Sequence, residues 1–110
     1  MFANTILILS GLHLKEIPPN LPDTILYLDI SHNDITSLKN CPPKLITLNC
    51  SYNQLTSFEG CPQTIQHDFD CSHNQITSFK FSSQDIQYNF NCSDDQITSF
   101  EHCPQHIQHN

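Results

Sequence analysis

One stretch decides the fold: Ser51-Tyr-Asn-Gln-Leu-Thr-Ser-Phe58. Three further stretches repeat it with little change, Ser31-His-Asn-Asp-Ile-Thr-Ser-Leu38, Ser72-His-Asn-Gln-Ile-Thr-Ser-Phe79 and Ser93-Asp-Asp-Gln-Ile-Thr-Ser-Phe100. Their third positions, Asn33, Asn53, Asn74 and Asp95, follow one another at steps of 20, 21 and 21 residues. A fixed period of this length indicates a solenoid, in which each repeat packs only against its neighbours.

Alternating apolar residues lie just before each copy. The pairs, each separated by one polar residue, are Leu28/Ile30, Leu48/Cys50, Phe69/Cys71 and Phe90/Cys92. This period of two predicts a short, half-buried strand in every unit. A turn at the Asn follows, and then a return segment, which carries proline in three of the four copies, as Pro42-Pro43, Pro62 and Pro104. Because no return has helical periodicity, we expect the returns to be extended or tight 3₁₀ turns.

The repeat accounts for nearly the whole chain, which we interpret as one domain over residues 1–110. The units are 4–24, 25–44, 45–65, 66–86 and 87–107, with a partial unit at 103–110. In two longer units Gln66 and Gln87 stand where an apolar residue is expected, with Ile65 and Ile86 displaced by one position. We therefore expect a local bulge there. The apolar first and last units suggest a fragment of a longer array, end-to-end association or a marginal free-standing protein.

The pattern Ile25-x-x-Leu28-x-Ile30-x-x-Asn33-x-Ile35 resembles the leucine-rich repeat. The short period and the proline in the return resemble the 20-residue class of bacterial effectors, and the Cys-Pro-x-x-Ile/Leu variant is also similar to repeat proteins of giant viruses and amoebae. The resemblance implies an α/β-type right-handed solenoid with little or no α-helix. It also implies a short parallel β-sheet on the concave face, irregular, extended or 3₁₀ returns on the convex face, and partner binding by the concave face.

Composition restricts the classes of function. The chain has 11 acidic residues against 4 lysines and no arginine, for a formal net charge of −7. This balance disfavours binding to nucleic acid or to an anionic membrane surface. The apolar stretch Ile6–Leu9 lacks the basic start and small-residue cleavage site of a signal peptide. We therefore expect a reducing compartment, either the cytoplasm or the cytoplasm of a host cell.

The Asn column resembles the asparagine ladder of the leucine-rich-repeat family. The side-chain amide at such a turn can satisfy backbone groups of its own coil and of the adjacent coil. An ionised aspartate accepts hydrogen bonds but cannot donate them, so the last complete rung should be weaker. The predicted structural ladder is Asn33, Asn53, Asn74 and Asp95.

The outward strand positions are the candidate binding surface, because tyrosine and aspartate there suit recognition of a basic or amide-rich protein. A serine column in the same frame, from Ser10 to Ser93, is expected to point outward but to be structural. The candidate partner-binding residues are Tyr27, Asp29, His32, Asn49, Tyr52, Asp68, Asp70, His73, Asn89 and Asn91. No catalytic constellation and no cofactor motif is found, so we expect a non-enzymatic protein-interaction module without a cofactor.

Two other functions remain open. The first is a self-assembling or truncated structural repeat with no specific ligand, which would associate through its uncapped ends. The second is a metal-binding or redox protein, because the chain has six cysteines and seven histidines and His102, Cys103, His106 and His109 cluster near its end. Cysteine, however, exchanges with Ile30 and Leu9 at one repeat position, which is typical of a small buried apolar residue. No spacing matches a closed metal site, so none is predicted.

Overall fold

The computed structural model describes residues 5–86, 89–99, 101–104 and 106–107. These residues form short parallel strands and turns, and none of them lies in a helix. The strands are β1 (Ile6–Ile8), β2 (Tyr27–Asp29), β3 (Lys44–Leu45), β4 (Thr47–Asn49), β5 (Thr64–Ile65), β6 (Asp68–Asp70), β7 (Asp85–Ile86), β8 (Asn89–Asn91) and β9 (His106–Ile107). The chain therefore coils into a parallel-stranded solenoid, measuring 45 × 29 × 18 Å, as the repeat predicts.

A five-stranded sheet with the order β1-β2-β4-β6-β8 runs the length of the solenoid. The middle residues of neighbouring strands are in register, as Leu28 with Leu48 and Phe69 with Phe90. Leu28, Leu48 and Phe69 are buried, because the alternation directs them to the core. The opposite side of this sheet, which corresponds to the predicted concave face, is called the strand face below.

A second sheet with the order β3-β5-β7-β9 consists of strands of two residues. Leu45, Ile65 and Ile86 are in register and buried in it. Only Ile46 separates β3 from β4, whereas Gln66 and His67 separate β5 from β6. The additional residue of the longer unit therefore lies at this bend, where Gln66 is exposed beside buried Ile65. Gln87 lies outside the described residues.

The core is one continuous cluster of side chains from every coil. Columns of equivalent residues fill it, such as Ile35, Leu55 and Ile76, all fully buried. Phe58 packs parallel to Phe79 with ring centroids 6.4 Å apart. Phe100, which holds the equivalent position in the fourth copy of the repeated stretch, lies outside the described residues. Coverage is complete in the middle coils and partial towards both ends, where Leu7, Leu9, Phe90, Cys92 and Ile97 are only partly buried.

In the described part of the chain, no helix is long and apolar enough to cross a bilayer.

Candidate functional site

The strand face carries a row of alternating carboxylate and amide side chains. The last residues of four neighbouring strands are aligned by the ladder, Asp29 with Asn49, Asn49 with Asp70 and Asp70 with Asn91. Parallel strands lie about 4.8 Å apart, so the four groups form a closely spaced line. We call Asp29, Asn49, Asp70 and Asn91 the Asx row.

Each member of the Asx row is fixed by the serine two residues later. The Oδ1 atom of Asp29 accepts hydrogen bonds from the backbone N–H of Ser31 at 2.9 Å and from its hydroxyl at 2.6 Å. Asn49 and Asp70 accept the same pair of bonds from Ser51 and Ser72. These bonds hold one side-chain oxygen inward and leave the other carboxylate oxygen or the amide nitrogen for an external contact.

The prediction that the serine column points outward is wrong for the three middle coils, whereas Ser93 is exposed. Ser31, Ser51 and Ser72 are 4–5% exposed, because their hydroxyls turn back to the Asx row. Serine is a suitable residue here because its hydroxyl is short enough to reach an acceptor two residues before it. The near-invariance of the serine column therefore has a structural cause, as expected.

A second row on the strand face consists of Tyr27, Thr47, Asp68 and Asn89, which begin the same strands. Asp68 places Oδ2 3.2 Å from Nδ1 of His67 at the bend, in a pair that is about half exposed. Its Oδ1 is buried without a hydrogen-bond partner in the described residues. Together with Asp29 and Asp70, Asp68 makes the middle of the strand face acidic.

The first strand gives the strand face an apolar end. Ile6 and Ile8 point outward and are 60% and 64% exposed, and Tyr27 beside them is 39% exposed. Large exposed apolar side chains grouped in this way are typical of interaction surfaces. A ligand that lies across the strands would therefore meet apolar groups at one end and carboxylates and amides at the other.

The candidate residues His32, Tyr52 and His73 form a column of their own, just after the strands. All three have left-handed backbone conformations, with φ of 56–57°. Their rings are stacked within 10° of parallel, with centroids 4.4 Å apart from His32 to Tyr52 and 4.1 Å from Tyr52 to His73. Asp94 continues the column, with Oδ2 3.2 Å from Nε2 of His73. The common repeat position suggests a column, but the stacking depends on backbone conformations that the sequence does not reveal.

The ladder residues join each coil to the one before it. The amide nitrogen of Asn53 donates to Ile30, Cys50 and Ser51 carbonyls at 2.9–3.2 Å, and its oxygen accepts from the N–H of Ile35 at 3.0 Å. Asn33 and Asn74 make equivalent bonds. The Asn side chains therefore position the turns that carry the stacked rings.

In the part of the chain that the structure describes, Asp95 makes fewer hydrogen bonds than the three Asn residues of the ladder, because a carboxylate accepts hydrogen bonds but does not donate them. Its Oδ1 accepts from the N–H of Ile76 at 3.0 Å, but its Oδ2 is buried with no hydrogen-bond partner among the described residues. Burial raises the pKa of Asp95 to about 6, against a smaller lowering by the N–H groups of Ile76 and Asn74 and by His73. An Asn at this position would donate where the carboxylate cannot.

The cysteines lie in the core or partly within it. Desolvation by burial raises the pKa of Cys50 and Cys71 well above the ordinary thiol value. It raises the pKa of Cys61 to about 11, although a hydrogen bond with Ser83 opposes the shift. These thiols are held in the neutral form, which is a poor nucleophile and a poor metal ligand.

Metal-ligating side chains do not converge in the part of the chain that the structure describes, where no group of three or more His, Cys, Asp or Glu could hold an ion. His109 and the side chain of His106 lie outside the described part of the chain. The expected absence of a metal or cofactor stays a prediction.

The comparisons with known proteins give the fold. No family model and no curated protein matches the chain. Among solved structures, the chain is similar to the leucine-rich-repeat domain of a Shigella effector, with a TM-score of 0.61 and 24% sequence identity. The similarity covers 87% of this chain and 52% of that domain, so the chain spans about half its length. The chain therefore has the fold of a short-repeat leucine-rich-repeat protein.

Proposed function

We propose that this chain is a non-catalytic protein-interaction module that binds a basic or amide-rich partner through the strand face. The Asx row is the observation that carries this proposal. Its four side chains present carboxylate oxygens and amide groups in alternation across neighbouring strands. A partner segment lying across the strands could donate to the carboxylates and exchange hydrogen bonds with the amides.

The hydrogen bonds from the serines make the Asx row suitable for binding. They fix the rotamers of Asp29, Asn49 and Asp70 before any partner arrives. Side chains that are ordered in advance lose less conformational entropy on binding, so more of the interaction energy remains as affinity. The net charge of −7 would in addition speed the association of a basic partner at low salt.

The fold similarity supports the same class of function, since the Shigella domain is named as part of an effector. We propose that the partner is a protein, that no enzymatic activity resides in this chain, and that binding occurs in a reducing compartment. The neutral, buried thiols of Cys50 and Cys71 are compatible with such a compartment. The alternative, a structural repeat without a ligand, accounts for the net charge through solubility but not for the ordered alternation of carboxylates and amides in the Asx row.

The test compares two double variants with the native chain. Asp29→Asn/Asp70→Asn removes two charges from the Asx row and keeps the oxygen that accepts from serine, as Asn49 does already. Glu16→Gln/Glu59→Gln removes two charges from exposed positions outside the strand face and serves as the control. Each chain is immobilised under reducing conditions and used to capture proteins from a cell lysate, which are then quantified.

We expect a partner that the native chain and the Glu16→Gln/Glu59→Gln control retain equally. The Asx-row variant should retain it at least about tenfold less, because two charge-assisted contacts are lost. Equal retention by all three chains would move the site away from the Asx row. If the native chain captured no protein, the result would contradict the proposal and favour a structural repeat without a ligand.

A further inference from the structure

The column of stacked rings is open at its first position. The N–H of His32, Tyr52 and His73 each donates to the serine carbonyl of the next coil, at 2.9–3.1 Å. Gly11 makes the same bond to Ser31 at 3.2 Å and has φ of +68°. Gly11 therefore holds the equivalent position in the first coil, but without a side chain.

No described residue occupies the space above Gly11. A Cβ atom built on Gly11 would meet no atom within 4 Å. The rings below are 4.1–4.4 Å apart, so the missing side chain leaves room for one planar group on the outer face of His32. The other end of the column differs, because there Asp94 contacts His73. We call the space between Gly11 and His32 the Gly11 slot.

The residues around the Gly11 slot combine apolar and acidic character. Ile8 lies three residues before Gly11 and Leu12 directly after it, and the two side chains are 64% and 55% exposed. Asp29 is aligned with Ile8 in the sheet, three residues before His32, and is only partly buried. Asp34 lies two residues after His32, but its carboxylate oxygens face Gln54 and His13 at 3.4 and 4.0 Å. A planar group on His32 would therefore find an aromatic floor, with exposed apolar residues and Asp29 at the neighbouring strand positions.

We propose that an arginine side chain of the protein partner occupies the Gly11 slot and stacks on His32. A guanidinium is planar, positively charged and able to lie on an aromatic ring, and its aliphatic stem can cover apolar neighbours. Charge complementarity with Asp29 and with the net charge of −7 favours arginine over an aromatic side chain, and planarity favours it over lysine. The chain has no arginine of its own to fill the slot. This inference rests on the proposed function and specifies one contact of the same partner.

The test is an NMR titration of the full chain in mildly alkaline buffer. The probes are N-acetyl-arginine amide, N-acetyl-lysine amide and N-acetyl-phenylalanine amide. We expect the arginine probe to shift the His32 ring signals and the Gly11 amide in a saturable way. Its affinity should exceed that of the lysine probe by about fivefold, the effect of about 1 kcal/mol of cation–π stacking.

Two variants remove the site in different ways. Gly11→Tyr fills the slot with a ring of the chain itself, at a backbone conformation that Tyr52 already adopts. His32→Ala removes the floor of the slot. Either change should abolish the response to the arginine probe, whereas Asp94→Asn, at the other end of the column, should leave it unchanged.

The proposal is overturned if the arginine probe causes no shift at His32, if lysine binds equally well, or if the phenylalanine probe binds more tightly. It is also overturned if Gly11→Tyr leaves the response intact. A failure of this proposal can be told apart from a failure of the proposed function by measuring partner capture with the same variants. Loss of partner capture in Asp29→Asn/Asp70→Asn, together with full capture by Gly11→Tyr, would keep the interaction module and reject the slot.

Discussion

At the scale of the residue, a single atom separates the last rung of the ladder from the three before it. Asn33, Asn53 and Asn74 each place an amide nitrogen against three carbonyl groups. Asp95 has a carboxylate oxygen in its place, and that oxygen has no hydrogen-bond partner in the described residues. Such an oxygen is stabilised by a proton, which agrees with the raised pKa of Asp95.

This raised pKa predicts how the stability contributed by Asp95 depends on pH. The folded chain binds the proton more tightly than the unfolded chain, so ionisation of Asp95 lowers stability as the pH rises from 3.8 to about 6. His73, which lowers this pKa, and Asp94, which raises it, face the same carboxyl group. The loss should be complete above about pH 6 and absent below the ordinary carboxyl value.

We expect Asp95→Asn to raise the free energy of unfolding at neutral pH by about 1 kcal/mol, because the amide can donate where the carboxylate cannot. Urea unfolding of both chains across the acidic range checks this. The difference between variant and native chain should grow as the pH rises and then level off. The opposite change, Asn53→Asp, should destabilise the chain at neutral pH. A difference between Asp95→Asn and native chain that does not vary with pH would contradict this account.

At the scale of the element, the sequence predicts the long sheet well and the short one poorly. Strands β2 and β4 lie where Leu28 and Leu48 alternate with polar neighbours. Strands β3, β5, β7 and β9 have only two residues, too few to show a period of two. The extended form of the return is therefore predictable, but not its pairing into a second sheet.

In the candidate site, too, the sequence predicts some features and not others. The outward positions of the Asx row follow from the alternation of each strand, because successive side chains lie on opposite faces. The burial of Ser31, Ser51 and Ser72 does not follow from it, since a local side-chain bond decides that orientation. The ring stack is likewise hidden, because positive φ at His32, Tyr52 and His73 is uncommon for residues with a side chain.

The turns of the return segments also contain residues with a left-handed backbone conformation. Asn20, Asn40, Gly60, Phe81 and His102 hold equivalent positions, and all have positive φ. Asn is well suited to this conformation, and Asn40 also donates to the carbonyl of Ile17 at 3.0 Å. Phe81 is less suited, and its exposed ring contacts the ammonium of Lys80 at 5.1 Å from the ring centroid.

We therefore expect Phe81→Asn to stabilise the chain by about 0.5–1 kcal/mol. Relief of the left-handed conformation is worth about 1 kcal/mol. The lost cation–π contact is exposed and offsets about 0.5 kcal/mol of that gain. Thermal or urea unfolding measures the change, with Phe81→Leu as a control that removes the ring and keeps the strain. Equal stability of Phe81→Asn and Phe81→Leu would show that the turn conformation is not the cause.

At the scale of the whole molecule, charge and shape divide the surface into regions. The strand face is apolar at β1 and polar from β4 to β8, with aspartates in its middle. The net charge of −7 opposes association between copies of the chain at low salt, whereas the exposed Ile6 and Ile8 favour it. Binding of a basic partner accounts for both the negative charge and the exposed apolar residues, because such a partner can cover the apolar end of the strand face and neutralise its acidic middle.

The central claim is that the partner lies on the strand face, and site-specific photo-cross-linking tests it most directly. A photoreactive benzoyl-phenylalanine is placed at Thr47, in the middle of the strand face, or at Glu59, an exposed residue of a return. Each chain is irradiated with the captured partner, and cross-linked product is quantified. We predict a strong cross-link from position 47 and little or none from position 59. A partner that cross-links from position 59 and not from position 47 would contradict the account.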